Sequence, residues 1–225
     1  IYTLSLHDAL PIFGRPSGAG KSTIAKLVAG KLGIIYVDTG AMYRAAAVFL
    51  KRQNIEKDDD VAIEKAVSNM DIAFSDGKVI LNGEDVSKKI RENDVSKYAS
   101  EYSAHRLVRD KLTALQRRMG KTVSLVMDGR DIGSNVFKDA KYKFYLTASS
   151  KVRAQRRYDE LKERGEDIEY SKILEDIKAR DDRDMNRELN PLKKADDAIL
   201  VDSTELNINE VVDEILSRSE EHTSE

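Results

Sequence analysis

The sequence predicts an α/β fold: a doubly wound, mostly parallel sheet flanked by helices, with a small antiparallel piece inserted. Two patterns predict it. Short apolar runs of strand length alternate with amphipathic stretches of helical length, the rhythm of a sheet covered on both faces. One stretch, 71–86, breaks that rhythm with two short alternating strands. A chain of 225 residues suits one such domain with an insertion, because single cores stop growing only beyond about 250 residues.

In chain order, the first strand has to come from Leu10, Pro11, Ile12 and Phe13, an awkward source because proline cannot donate to a central ladder. A helix follows at 21–32, then a strand at 34–37 and a helix at 42–53. The insertion reads DIAFSDGKVILNGEDV, with turns at Asp76-Gly77 and Asn82-Gly83. A helix at 96–119 leads into strands at 123–127 and 142–146. Helices at 149–164 and 170–186, a strand at 199–201 and a helix at 208–216 complete the pattern. The ends read differently. IYTLSLHDALP (1–11) has no sustained period and RSEEHTSE (218–225) has no apolar stripe; both look like translated sequencing adapter. They are expected to be foreign tails, bounded at 1–13 and 218–225 around a domain at 14–217.

Composition narrows the classes. Lys and Arg number 38 against 40 Asp and Glu, a formal charge of −2, so anion sites must come from local clusters and bulk nucleic-acid binding is disfavoured. Cysteine is absent, which removes disulfides, thiolate metal sites and cysteine nucleophiles and agrees with a reducing compartment. No run of about 18 apolar residues exists and no basic flank precedes the apolar start, so neither a membrane span nor a secretory signal is expected. The expected location is cytoplasmic.

Gly18-Ala19-Gly20-Lys21-Ser22-Thr23 is the second half of the pattern G-x-x-x-x-G-K-S/T, placed directly before a helix. Glycines let backbone N–H groups approach phosphate oxygens, the lysine reaches the outer phosphates, and the Ser22 hydroxyl suits Mg²⁺. This is a P-loop NTPase-type arrangement; a glycine-rich turn before an ordinary helix is the plainer alternative. The first position of the pattern is Arg15, where a side chain replaces the permissive backbone of glycine, so a nucleotide-binding but inactive protein is a second possibility.

VDTGAMYR (37–44) follows a strand and opens a helix, which puts Thr39 and Arg44 at the carboxyl edge of the sheet, where a second anionic ligand is at home. Arg44 equally suits an exposed helix face. SLVMDGRD (124–131) is an apolar strand ending in a carboxylate, the arrangement that places Asp128 to hold Mg²⁺ or its waters. Arg130 offers fixed donors to phosphate or base oxygens and Asp131 accepts from amino or hydroxyl groups. Arg180, Asp184 and Arg187 recur at i, i+4 and i+7 on one helical face, with Arg183 at its edge. Arg153, Arg156 and Arg157 form a second stripe upstream. Such stripes commonly coat solvated faces, and Asp181 and Asp182 fit that reading. Beside a phosphate loop they also suit the charge that builds on a transferring phosphoryl group.

PSGAGKST, VDTGAMYRAAA, DGRDIG and IKARDDRDMNR, in this order and spacing, resemble the bacterial cytidylate kinase family over nearly the whole chain outside the tails. ILNGEDVSKKIR (80–91) resembles that branch's enlarged monophosphate-binding region, so the insertion is expected to span about 60–105. The resemblance implies transfer of phosphate from ATP to CMP or dCMP with Mg²⁺, by a cytoplasmic monomer with no nucleic-acid or membrane partner. Carried over by position, Thr39, Arg44, Arg109, Arg130, Asp131, Arg180, Asp184 and Arg187 hold the monophosphate, and Pro16, Ser17, Gly18, Ala19, Gly20, Lys21, Ser22 and Thr23 hold the ATP phosphates. Arg153, Arg156 and Arg157 fall in a lid region at about 150–170, Arg156 serving ATP. The groups at the chemistry are then Lys21, Arg130, Asp131, Arg153, Arg157, Arg180 and Arg187. A kinase for a different small acceptor remains the competing enzyme reading.

Overall fold

β1 (Ile12–Gly14) is the middle strand of a five-stranded sheet in a computed structural model that describes residues 12–14, 21–75 and 77–221. It runs parallel to β6 on one side, pairing Phe13 with Asp128, and to β7 on the other, pairing Phe13 with Phe144. Ile12 and Phe13, expected in a foreign tail, therefore belong to the central ladder. Leu10, Pro11, Arg15 and Pro16 to Gly20 lie outside the described residues, and so do the expectations that rest on them.

The sheet order is β2-β6-β1-β7-β8, with β2 at Ile35–Asp38, β6 at Leu125–Gly129, β7 at Lys143–Thr147 and β8 at Ile199–Asp202. The Cα atoms group into two compact units: one comprises the residues up to Tyr36 together with Val123–Glu225, the other Val37–Thr122, which contains the 60–105 stretch.

In the first unit, α1 (Lys21–Leu32) and α8 (Ile208–Glu221) pack on one face of the sheet. Ile24, Val28, Val211 and Ile215 meet Val126, Phe144, Leu146 and Val201 there in one buried cluster. The strand residues alternate in the period-two manner that gives a sheet its faces. α8 continues to Glu221, beyond the expected end at 216 and into the stretch expected to be a tail. α6 (Ser150–Glu163) and α7 (Tyr170–Asn186) form a hairpin with its own apolar seam of Ala154, Leu161, Ile173 and Ile177. Tyr158 and Tyr170 close it edge to face, centroids 6.1 Å apart. Lys143, the first residue of β7, is buried and directs its ammonium to the Lys138 carbonyl and to Asp197, 2.5 Å away.

In the second unit, β3 (Ile72–Ser75), β4 (Lys78–Leu81) and β5 (Glu84–Asp85) make the expected antiparallel sheet. Its Asn82-Gly83 turn has φ of 47° and 84°, the left-handed pair a two-residue hairpin needs. The Asn82 amide locks the turn, accepting from the Asp71 N–H at 2.7 Å and donating to the Asn69 carbonyl at 3.1 Å. Around the sheet lie α2 (Thr39–Arg52), α3 (Asp60–Ser68), α4 (Asn93–Tyr102) and α5 (Arg106–Thr122).

The single helix expected at 96–119 is two. The chain tightens at Ser103–His105, where the Ala104 N–H turns to the Glu101 carbonyl and the His105 N–H to Tyr102. Tyr102 is drawn aside to the Ile55 carbonyl, and the Ser103 carbonyl accepts from Arg109 at 3.0 Å. The Tyr102 contact spans 47 residues and none of these polar contacts shows in the apolar period. α3 is not among the helices that the apolar pattern predicts. It is capped by Asp59, whose carboxylate accepts from the Ala62 N–H at 2.9 Å. No helix among the described residues is long and apolar enough to cross a membrane.

Candidate active site

β1 ends at Gly14 and α1 begins at Lys21, so the glycine-rich segment joins a strand's carboxyl end to a helix's amino end, as a phosphate loop requires. Ser22 is half-buried in the first turn and Thr23 is exposed. One strand over, Asp128 stands on β6 opposite Phe13, almost wholly buried, and accepts from the Tyr36 hydroxyl at 3.2 Å. Tyr36 does not stand out in the sequence, since nothing in its neighbourhood marks it as polar support for a carboxylate on another strand.

Immediately beyond β6 the chain delivers Arg130 and Asp131 to a cluster shared with α7. Arg130 donates through Nε to Asp184. Arg187 Nη2 lies 3.4 Å from Asp131 Oδ1, and its Nη1 lies 3.9 Å from Asp184 Oδ1. Arg180 approaches the same Asp184 carboxylate at 4.0 Å. Asn135, on the π-helical turn Ile132–Val136, donates to Asp131 at 3.2 Å. Three guanidinium groups thus surround two carboxylates, an excess of one positive charge in a mostly buried cluster. Asp184 fixes the Arg130 fork by a hydrogen bond, and the two carboxylates draw Arg180 and Arg187 in by charge, the kind of preorganisation a phosphate monoester site needs.

Contrary to the expected helical face, Arg187 does not share α7 with Arg180 and Asp184, because the helix ends at Asn186 and Arg187 is extended (φ −64°, ψ 142°). It joins the cluster by another route. Arg187 Nε donates to the Asn190 carbonyl at 2.7 Å, Asn190 takes a positive φ of 48°, and the Leu192 N–H returns to the Asp184 carbonyl at 2.7 Å. The loop folds back on the helix end and aims the guanidinium at Asp131.

The second arginine stripe also separates. Arg153 is buried, donating Nε to the Ala148 carbonyl at 2.9 Å and Nη2 to Asp181 at 2.6 Å. Arg156 donates to the Ser203 carbonyl at 2.6 Å, beyond the end of β8. Arg157 is exposed and pairs with Glu160 at 2.8 Å. Positions i, i+3 and i+4 share a helix face only loosely, and here one side chain enters the helical hairpin, one reaches a loop and one stays in water. Asp181, expected on a solvated face, is buried. Burial first, and the Asp181 carboxylate second, hold the Tyr145 phenol above its ordinary range, with Arg153 opposing.

The second unit holds three further candidates. Thr39 is buried at the start of α2. Asp38, its N-cap, accepts from the Ala41 N–H at 3.0 Å and pairs with Arg44 at 3.0 Å, so one carboxylate both starts the helix and orients the arginine. Gly40 makes room for that pair: a Cβ there would lie 3.0 Å from Asp38 Oδ1 and 3.2 Å from Arg44 Nη1. Arg109, nearly inaccessible, lies over the Tyr43 ring at 5.6 Å.

A family model for cytidylate kinase matches residues 12–221. The chain belongs to the cytidylate kinase family. It is 46% identical over 212 residues to a cytidylate kinase of Clostridium botulinum (Loch Maree), covering 94% of this chain and 97% of the relative. To that of Caldicellulosiruptor bescii it is 47% identical over 205 residues, covering 89% and 91%. Among solved structures, an uncharacterised protein from Eubacterium ventriosum superposes with a TM-score of 0.51 at 12% identity, covering 94% of this chain and 97% of that one, a likeness of fold alone. The fold is an α/β one, with a parallel sheet flanked by helices.

For a magnesium site in a member of this family, the donor set matters. Among the described residues no group of three or more metal-ligating side chains gathers. Magnesium is commonly held by one or two protein oxygens, with substrate phosphates and water completing its shell. A buried Asp128 carboxylate on the strand beside β1, steadied by Tyr36, fits that pattern.

Proposed function

We propose that this chain transfers the γ-phosphoryl group of ATP to CMP or dCMP, giving ADP and CDP or dCDP. The observation that carries the reading is the Arg130–Asp131–Arg180–Asp184–Arg187 cluster beyond the strand next to β1, in a chain of this family. A terminal oxygen of the nucleoside monophosphate forms the new bond to the γ-phosphorus while the bond to the β-bridging oxygen breaks, and ADP leaves with that electron pair. No covalent enzyme intermediate is needed.

In this assignment Pro16 to Thr23 cradle the ATP phosphates, with Lys21 reaching the transferring group. Ser22 and Asp128 would hold Mg²⁺, which supplies charge neutralisation at the phosphates. Arg130, Arg180 and Arg187 orient the acceptor phosphate, and Asp131 and Asp184 accept from the sugar or base. Thr39, Arg44 and Arg109 complete acceptor recognition. Arg156 and Arg157 serve the ATP side from a lid at about 150–170, and the region at about 60–105 is the monophosphate-binding insertion within a domain at 14–217. The protein works in this reading as a cytoplasmic monomer.

An acceptor panel in a coupled ADP-release assay tests it. CMP and dCMP should lead, and a clear preference for AMP or shikimate would reassign the acceptor. Arg187→Ala removes a charge-assisted contact worth about 1.5–3 kcal/mol, so kcat/KM for CMP should fall roughly 10- to 150-fold. Near-parental activity in that variant would remove Arg187 from the acceptor site.

A further inference from the structure

The hairpin of α6 and α7 is held mainly by apolar contacts, yet it buries one ion pair at its sheet end. Arg153 Nη2 meets Asp181 Oδ2 at 2.6 Å with both side chains at most one-tenth exposed. Asp181 Oδ1, also buried, has no hydrogen-bond partner among the described residues. A buried ion pair is a poor source of stability compared with apolar residues of the same volume, and an unmatched carboxylate oxygen makes it poorer still. What it does supply is register, since a charge pair fits in one place along a helix where methyl groups fit in several.

The neighbouring residue gives that register a use. Arg180 and Asp181 are consecutive, so they leave α7 about 100° apart. Arg180 faces Asp184, the carboxylate that also receives Arg130 and Arg187. Asp181 faces Arg153 on α6, the helix that also carries Arg156 and Arg157. A small rotation of α7 that tightens the arginine cluster moves the Asp181 carboxylate past the Arg153 fork. With Oδ2 occupied and Oδ1 open, the Asp181 carboxylate keeps one oxygen to offer as it shifts.

We propose that Asp181 is a positioning residue that couples the two sides of the reaction, passing the state of the arginine cluster through Arg153 to α6. The inference rests on the cluster being the acceptor-phosphate site. Coupling of this kind is reciprocal: an acceptor that tightens donor binding is itself tightened by donor to the same degree, typically about 5- to 150-fold.

The test is titration calorimetry of CMP into the protein with and without a saturating β,γ-imido analogue of ATP. Wild type should bind CMP at least about fivefold more tightly with the analogue present. In Asp181→Asn that ratio should fall below about twofold, while affinity for CMP alone stays within about threefold of wild type. A merely structural role would lower the melting temperature and both affinities together and preserve the ratio, and that result overturns the proposal. So does a wild-type ratio near one. If CMP does not bind wild type at all, the acceptor assignment itself fails and this inference falls with it. Should that variant misfold, hydrogen exchange on wild type decides: CMP alone should slow exchange of amides in α6, and protection confined to α7 and the Asn190 loop refutes the coupling.

Discussion

Replacing Asp184 by alanine should injure function and stability by amounts that its contacts set. Its carboxylate is the common acceptor of the cluster, only 14% exposed, with Arg130 hydrogen-bonded to it and Arg180 and Arg187 at 4.0 and 3.9 Å. The Arg130 contact is charge-assisted and worth about 1.5–3 kcal/mol, whereas the two longer ones contribute about 0.2–1 kcal/mol each. Losing all three destabilises by about 2–5 kcal/mol. For a chain of this size that lowers Tm by roughly 4–20 °C in scanning calorimetry. Without the carboxylate, Arg130 keeps its charge but loses its orientation, so the transition-state cost should approach the value of the lost hydrogen bond. That corresponds to a roughly 10- to 150-fold fall in kcat/KM for CMP. If kcat/KM for CMP stays within about threefold of the parent while Tm drops as expected, Asp184 is architectural and the reasoning from fork orientation is wrong.

Gly40→Ala should separate function from stability in the opposite sense. Alanine favours the helix by about 0.4–1 kcal/mol, yet its Cβ displaces the Asp38–Arg44 pair, so Tm should hold or rise while KM for CMP increases several-fold. Unchanged CMP kinetics would show that Arg44 does not touch the acceptor. Tyr36→Phe leaves Asp128 without its hydroxyl donor, and should weaken Mn²⁺ binding to the ADP complex, read by electron paramagnetic resonance, by a few-fold. Equal manganese affinity in the two proteins would detach Tyr36 from the metal. Asp197 tests linkage. Lys143 beside it holds its carboxyl below the usual range, so the pair stabilises the fold above the unfolded carboxyl value near about pH 4 and ceases to do so as pH falls through the lower folded value. Asp197→Asn should therefore melt below the parent at about pH 7 and converge with it in acid, whereas a constant gap across the titration would exclude the pair as the cause.

Much of this was legible in the residues. α7 spans the stretch its periodicity marked, and Asn82-Gly83 forms the turn its dipeptide demands, because both depend on neighbours in sequence. The members of the arginine cluster beyond β6 and on α7 are also marked by residue type and spacing. What escaped was direction. Arg153, Arg156 and Arg157 look alike along the chain, and only partners 28 and 47 residues away for the first two decide that one is buried and another bonds a loop carbonyl. Asp181 looks like its neighbour Asp182, and its burial comes from the packing of α6 over that turn. The helix break at Ser103 has the same origin, since Tyr102 and Arg109 both make polar contacts that no local pattern announces.

The position of β1 has a consequence for how the protein is made. Its partners on both sides lie more than a hundred residues downstream, at Asp128 and Phe144 opposite Phe13. A ribosome adding about 5–20 residues per second therefore exposes this strand for roughly 6–25 seconds before either neighbour emerges. During that interval an unpaired edge leads the nascent chain, which makes slow translation or delayed release of the 125–147 segment the step at which misassembly should concentrate.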